Sequence, residues 1–285
     1  MPRPVTFHLR KSALALGVVL FGISGALFGI QTSVVSARPS VKPAPILDHF
    51  LCYQATPVKS FNIPSNVVLT NQFTKHDHTK LKPKISQSPL VHCNPVAKYI
   101  LTRLVAPINK PNAHLLCYPI TVPVQPVHVV QVTNQFGTAT LDTGQPIGLC
   151  LPTWKSLVGP PGKTPNEPPG LDHFTCYPVT YDPNTVSTFN PPNPNVSLQD
   201  QFAPAPVQVT VGDPETLCLP TTKTVGAKVY KPIKPAPVQD HLLCFAVTQT
   251  PFLPTIWDQN QFGTGQLNLV QTVTLCVPSE KVLLH

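Results

Sequence analysis

One phrase recurs four times in this chain: a His three residues before a Cys, then an Asn/Asp-Gln-Phe triplet, then Cys-x-Pro-x-x-Lys. The openings are Asp48-His49-Phe50-Leu51-Cys52-Tyr53, Ala113-His114-Leu115-Leu116-Cys117-Tyr118, Asp172-His173-Phe174-Thr175-Cys176-Tyr177 and Asp240-His241-Leu242-Leu243-Cys244-Phe245. A tandem array follows. The eight cysteines fall two per copy with none left over, which reads as a disulfide framework in an oxidising compartment.

The N-terminus agrees with that destination. Arg10-Lys11 precedes an uncharged apolar run over about residues 12–30, and Val35-Ser36-Ala37 supplies a small-x-small cleavage pattern. Residues 1–37 are therefore expected to be a signal peptide, with the mature chain starting near Arg38. The run approaches the ~20 residues that span a bilayer, so an uncleaved signal anchor is the alternative. Either reading puts the remainder outside the cell, secreted or on its surface. No later stretch has the length or purity of a membrane span, so membrane contact is expected only through that anchor.

Removing Arg3, Arg10 and Lys11 with the leader leaves 17 Lys+Arg against 12 Asp+Glu, or +5. Charged residues make up only 11% of the chain, too few for a phosphate-tracking surface, and nucleic-acid binding is not expected.

Each cysteine pair can close its own loop: Cys52 with Cys93, Cys117 with Cys150, Cys176 with Cys218, and Cys244 with Cys276. Eight cysteines allow 105 connectivities; repetition makes pairing within copies the simplest. The first and third loops are long and the second and fourth short, as if an ancestral pair had been duplicated. Each copy has segments of extended character, at 49–55, 67–73 and 90–96 in the first and at 127–136 and 207–211 later. Their β-branched residues and period-2 alternation indicate strands, and thirty-seven prolines interrupt helices. No helical period is visible after residue 37.

The expected fold is all-β, with tandem disulfide-stapled repeats forming two β-sandwich or barrel-like domains of two repeats each. A copy of about sixty residues buries too little surface to be secure alone. Domain one would span 38–155 (repeats 44–98 and 111–155) and domain two 171–285 (repeats 171–223 and 239–281). The Pro/Gly-rich segment 156–170 would act as a semi-extended linker.

Chemical constellations are few. The recurring Asp-His pairs read as strand-start packing with a turn aspartate. The triplets read as strand-end turns with an apolar anchor, and Gly137 and Gly263 directly after Phe suit a positive φ. Proline would end the ladder after the second Cys, and Lys98, Lys155, Lys223 and Lys281 would occupy solvated exit turns. Only copy one carries His76-Asp77-His78, in a basic loop with His92 as a distant partner for a metal. That segment reads as a solvated loop, and no metal, cofactor or catalytic residue is assigned. Unshared aromatics in variable regions, Trp154, Tyr181 and Trp257, are the candidate binding residues.

At these positions the chain resembles an uncharacterised family of secreted bacterial repeat domains. Their copies run Asp-His-hydrophobic-x-Cys-Tyr, then Asp-Gln-Phe-Gly, then Leu-Cys-Asn-Pro-Val-x-Lys. The likeness covers about residues 44–281; Cys93-Asn94-Pro95-Val96-Ala97-Lys98 is nearest the pattern, while Ala113, Phe245, Leu151 and Leu219 depart from it. It implies no activity. The expected role is a noncatalytic structural or binding module with an extracellular protein or glycan as partner. The rivals are a carbohydrate-binding module or a secreted hydrolase with a site between repeats.

Overall fold

The computed structural model describes residues 47–234, 236–237, 239–248 and 253–284. The leader expected at 1–37 and the start near Arg38 lie outside them. Copy one contributes β1 (His49–Lys59), β2 (Val67–Thr70), α1 (Gln72–His76), β3 (Lys84–Ile85), β4 (Leu90–Ile100) and β5 (Arg103–Ala106). Copy two contributes β6 (His114–Thr121), β7 (Val129–Asn134), β8 (Gly137–Thr143) and β9 (Gly148–Ser156). Copy three has β10 (Phe174–Tyr181), β11 (Val196–Gln199), β12 (Val207–Gln208), β13 (Thr210–Pro220), β14 (Thr222–Val225) and β15 (Lys228–Tyr230). Copy four has β16 (His241–Thr248), β17 (Thr255–Asn260) and β18 (Gly263–Leu283). The described residues are all-β apart from α1, which takes residues 72 and 73 from the end of the expected 67–73 strand. Asn71 starts that helix by accepting hydrogen bonds from the Phe73 and Thr74 amides.

Each copy pairs its own two cysteine strands with the cysteines directly opposite, and the four disulfides Cys52–Cys93, Cys117–Cys150, Cys176–Cys218 and Cys244–Cys276 close them. Four seams then join one copy to the next: β4 to β6, β9 to β10, β13 to β16, and β18 back to β1. The eight strands form one closed antiparallel ring. The stagger has a simple source. Within a copy Cys faces Cys, but at every seam the second Cys faces the residue two before the next copy's first Cys: Cys93 with Leu115, Cys150 with Phe174, Cys218 with Leu242 and Cys276 with Phe50. Four offsets of two in one direction give a shear of eight, the stagger of the eight-stranded barrels whose interior side chains just fill.

The expected division into two domains is thereby corrected. Strands β9 and β10, on either side of 156–170, pair directly, so that segment is a loop over one barrel. Two copies alone would leave two open edges, and closing the ring removes both.

The hydrophobic layout follows the period of 2. Phe50, Leu115, Phe174 and Leu242 point inward with the cysteines as a small inner core. The alternate residues, such as Leu51, Tyr53, Leu116, Leu149, Leu217, Phe245 and Leu275, point outward into a larger core. Arms between the cysteine strands cover that outer face, and they cross between copies. The stretch after each second cysteine pairs with the middle strand two copies away: Ala97–Ile100 with β11, Trp154–Ser156 with β17, β14 with β2, and Glu280–Leu283 with β7. The strand changes partners at the Cys-x-Pro step. Pro95 and Pro152 remain inside β4 and β9, and the ladder does not end there as expected. The seam-side neighbour stops at the cysteine, so the missing proline amide costs little.

The triplets lock the arms. In each, the Asn or Asp side chain accepts from the amide of its own Phe, as with Asn71 to Phe73 (3.0 Å) and Asn260 to Phe262 (2.8 Å). Gly137 and Gly263 then have φ of 123° and 102°, closing two-residue hairpins. The same Asn or Asp reaches two copies on: Asn71 donates to the Tyr177 hydroxyl (2.8 Å), Asn260 to the Tyr118 hydroxyl (3.0 Å), and the Tyr53 hydroxyl donates to Asp200 (2.8 Å). In copy four Phe245 stands at the Tyr position without a hydroxyl, and Asn134 donates to Ser279 instead (3.2 Å). The Asp of Asp-His clasps a linker in copies one and three, where Asp48 accepts from the Asn109 and Lys110 amides and Asp172 from the Ile233 amide.

Candidate functional site

The barrel is plugged at one end and open at the other. Beyond the Phe50, Leu115, Phe174 and Leu242 level lie the four disulfides, packed in touching pairs: Cys52 Sγ is 3.6 Å from Cys276 Sγ, and Cys150 Sγ is 3.5 Å from Cys176 Sγ. The sulfurs floor a half-open cavity of about 450 Å³, within the range of small-molecule sites. Its walls carry Val91, Pro119, Ile147 and Val273, and its polar groups are mainly Gln54, Glu215, Thr216 and Thr274. Glu215 is the one acidic residue of the lining, held above its ordinary pKa by desolvation. Cys117 is half-buried, the one cysteine short of full burial. The chamber can shelter an apolar group; it assembles no nucleophile with a base.

Around the outside runs a second fourfold feature, and it corrects the expectation for the lysines. Each Lys of Cys-x-Pro-x-x-Lys lies over the triplet Phe of the next copy: Lys98 over Phe136 (5.0 Å), Lys155 over Phe202 (4.1 Å), Lys223 over Phe262 (4.8 Å) and Lys281 over Phe73 (4.8 Å). The last contact joins copy four to copy one, closing the circuit as the barrel does. These cation–π contacts replace solvated turns. Lys98 is 2% exposed and Lys223 is fully buried, with no hydrogen-bond partner for its ammonium. Burial pushes Lys98, Lys155 and Lys281 down to about 8 and Lys223 to about 7.

The family model of a repeat of unknown function, DUF7450, matches residues 114–278, more than half of the chain. The chain belongs to the DUF7450 family. No curated protein and no solved structure matches it. The DUF7450 match runs from His114 in copy two to Pro278 in copy four, across the loop 156–170, as does the barrel.

In this DUF7450 chain the recurring histidines pack beside the lysines. Burial lowers the pKa of His114, His173 and His241. Three of the four recurring histidines have a side chain close by: Gln135 Nε2 donates to His49 Nε2 (2.6 Å), while His173 Nε2 lies 3.2 Å from Glu167 Oε2 and His241 Nδ1 lies 2.6 Å from Asp240 Oδ1 without a hydrogen bond. His114 Nδ1 has no partner among the described residues. A sealed polar network joins the copies deeper in. His92 Nδ1 is 2.7 Å from Asp258 Oδ2 and its Nε2 is 2.9 Å from Asn94 Oδ1, which also accepts from Lys155 Nζ (2.7 Å). Asn94 donates to Asp200 (2.7 Å). His92, Asn94 and Asp258 are fully buried, so this is an internal tie between copies.

Of the expected binding residues, Trp154, Tyr181 and Trp257 are all half-buried. Trp154 faces Gln259 and Trp257 faces Ser156 across the β9–β17 ladder, which sets both indoles on one face. Tyr181 sits apart, at the β8–β10 pairing against Phe189. The Trp154 indole donates to the Pro165 carbonyl (2.9 Å), and Gln259 bonds both the amide and the carbonyl of Lys163, so the loop 156–170 is fastened along the tryptophan face. The sequence missed the barrel mouth, whose lining comes from all four copies. Its one available signal was the equal depth of the cysteines in their hairpins.

Proposed function

We propose that this protein is a noncatalytic module, secreted or held at the cell surface, that takes a small apolar ligand into the disulfide-floored mouth of its barrel. The carrying observation is the cavity itself: about 450 Å³, half-open, walled by apolar side chains and sulfur, with one carboxylate at its rim. A site of that kind excludes water and selects by shape, while a few rim groups orient the guest. A noncatalytic role is supported by where the acids and bases lie, since His92 and Asp258 are sealed away from any opening. Extracellular residence is supported by four disulfides.

The test is binding of an environment-sensitive apolar fluorophore. Val91 lines the mouth and is half-buried, so Val91→Trp fills the chamber from a strand that stays paired. The wild type is expected to bind one probe per chain, and Val91→Trp to weaken binding at least tenfold with an unchanged melting temperature. Equal affinity in the two proteins excludes the mouth. A second reading, stacking of a glycan on Trp154 and Trp257, is favoured by their shared face. Saccharide binding lost in Trp257→Ala, with no apolar probe bound, would select it.

A further inference from the structure

We propose that His76, Asp77 and His128 form a binding site for a divalent metal ion of the zinc class, linking the insertion of copy one to the arm of copy two. The Asp77 carboxylate stands between two imidazoles: Oδ1 is 3.0 Å from His76 Nδ1, and Oδ2 is 3.0 Å from His128 Nε2. One donor atom from each residue lies within 4.8 Å of the others. Zinc binds imidazole nitrogen and carboxylate oxygen at about 2.0–2.2 Å in tetrahedral sites, so donor atoms about 3.3 Å apart surround it. Each imidazole nitrogen already stands 3.0 Å from a carboxylate oxygen, and the three donor atoms, within 4.8 Å of one another, need only a small contraction to meet one ion. Two imidazoles, one carboxylate and a fourth position open to solvent are a zinc-type donor set.

The donors are held from behind. His128 is buried at 3% exposure, its ring stacked on Phe73 at 4.2 Å, and its amide donates to Thr143 Oγ1 (3.0 Å). Phe73 is in turn fixed by the Asn71 cap and the edge of Tyr177. Asp77 is the C-cap of α1, its amide donating to the Phe73 carbonyl (2.9 Å). His76 is exposed on the last turn of α1, so the site runs from a rigid buried ligand to an accessible one, which gives the ion an entry path. His78, exposed and with a left-handed backbone (φ 53°), is not part of the cluster, and His92 lies in the sealed network. By sequence, residues 76–78 read as a solvated loop with His92 as the distant partner; the fold brings His128 there instead, which the sequence could not connect to residue 76. The other group of ligand-type atoms, Cys150, Cys176 and Cys218, is disulfide-bonded and offers no thiolate.

Isothermal titration of zinc chloride into chelator-stripped full-length protein tests the site. One equivalent is expected to bind at micromolar zinc and to raise the melting temperature by several degrees. His76→Ala and Asp77→Asn should each weaken binding at least tenfold, and His78→Ala should leave it unchanged. His76 and His78 are both exposed, so neither change disturbs packing. Cobalt in place of zinc should give the visible absorption of a four-coordinate nitrogen–oxygen site, lost in Asp77→Asn. Absence of zinc binding by the wild type, or binding unaltered by His76→Ala and Asp77→Asn, overturns the proposal.

Discussion

Between pH 5.5 and pH 9.5 the unfolding free energy of this protein is expected to rise continuously, carried by groups whose charged form burial disfavours. Lys223 is the strongest case. Its folded pKa is about 7 because burial removes the ammonium from water, with Glu167 opposing only in part, while the unfolded lysine stays near 10.4. Below pH 7 both states carry the proton and the full penalty is present. As pH rises from 7 towards 10, the folded chain has released a proton that the unfolded chain still holds, and stability climbs. Lys98, Lys155 and Lys281, at about 8, act in the same window. The buried histidines His114, His173 and His241, lowered by burial, extend the trend downward, since stability is lost as the unfolded histidines take up protons below about pH 6.5. Asp172 and Glu215, raised by burial, oppose it only at the acid end. Above pH 10 the direction reverses, because burial holds Tyr53, Tyr118 and Tyr177 above their ordinary value and only the unfolded tyrosines ionise. Urea unfolding at pH 5.5, 7.5 and 9.5 measures this. Lys223→Met should stabilise by a few kcal/mol at pH 6, with the gain shrinking by pH 10. A flat profile, or a Met variant less stable at pH 6, contradicts the lysine account.

Replacing Cys176 and Cys218 together by Ala is expected to cost about 3–5 kcal/mol. The bridge closes 42 residues, so its loss frees the unfolded chain, and Cys176 Sγ touches Cys150 Sγ at 3.5 Å, so a neighbouring bridge also loses its packing. At roughly 2–4 °C per kcal/mol for a protein of this size, the melting temperature should fall by about 10 °C. A calorimetric scan decides it. A fall within error would mean that the outer core under the arms holds the ring closed without the sulfurs.

The cysteine pairs, the strands and the hairpin glycines were legible because each is a local property: a period of 2, a turn residue, a repeated spacing. Val127–Phe136 read as a strand, and β7 occupies its centre. Ring closure was not legible. The seam that pairs Leu149 with Thr175 is decided by a two-residue offset that no single copy displays, and the arms answer to copies two places along. The lysines failed for a related reason. Lysine is ordinarily a surface residue, and the Phe of the following copy, joined for Lys223 by Tyr230, gives Lys98 and Lys223 an aromatic face to be buried against. His92 stood out only as a distant possible partner of the 76–78 loop; the side chain it meets, Asp258, is 166 residues away.

The closed ring itself is tested by splitting it. Residues 43–158 and 168–285 each contain two complete copies with both disulfides, but in isolation each lacks the strands that its arms and its outer seams require: β4 without β11, β17 without β9, Tyr53 without Asp200. Thermal unfolding should show no cooperative transition in either half alone, and one transition when the two are refolded together. Independent, cooperative melting of both halves, unchanged on mixing, would show two separate domains and contradict the single barrel.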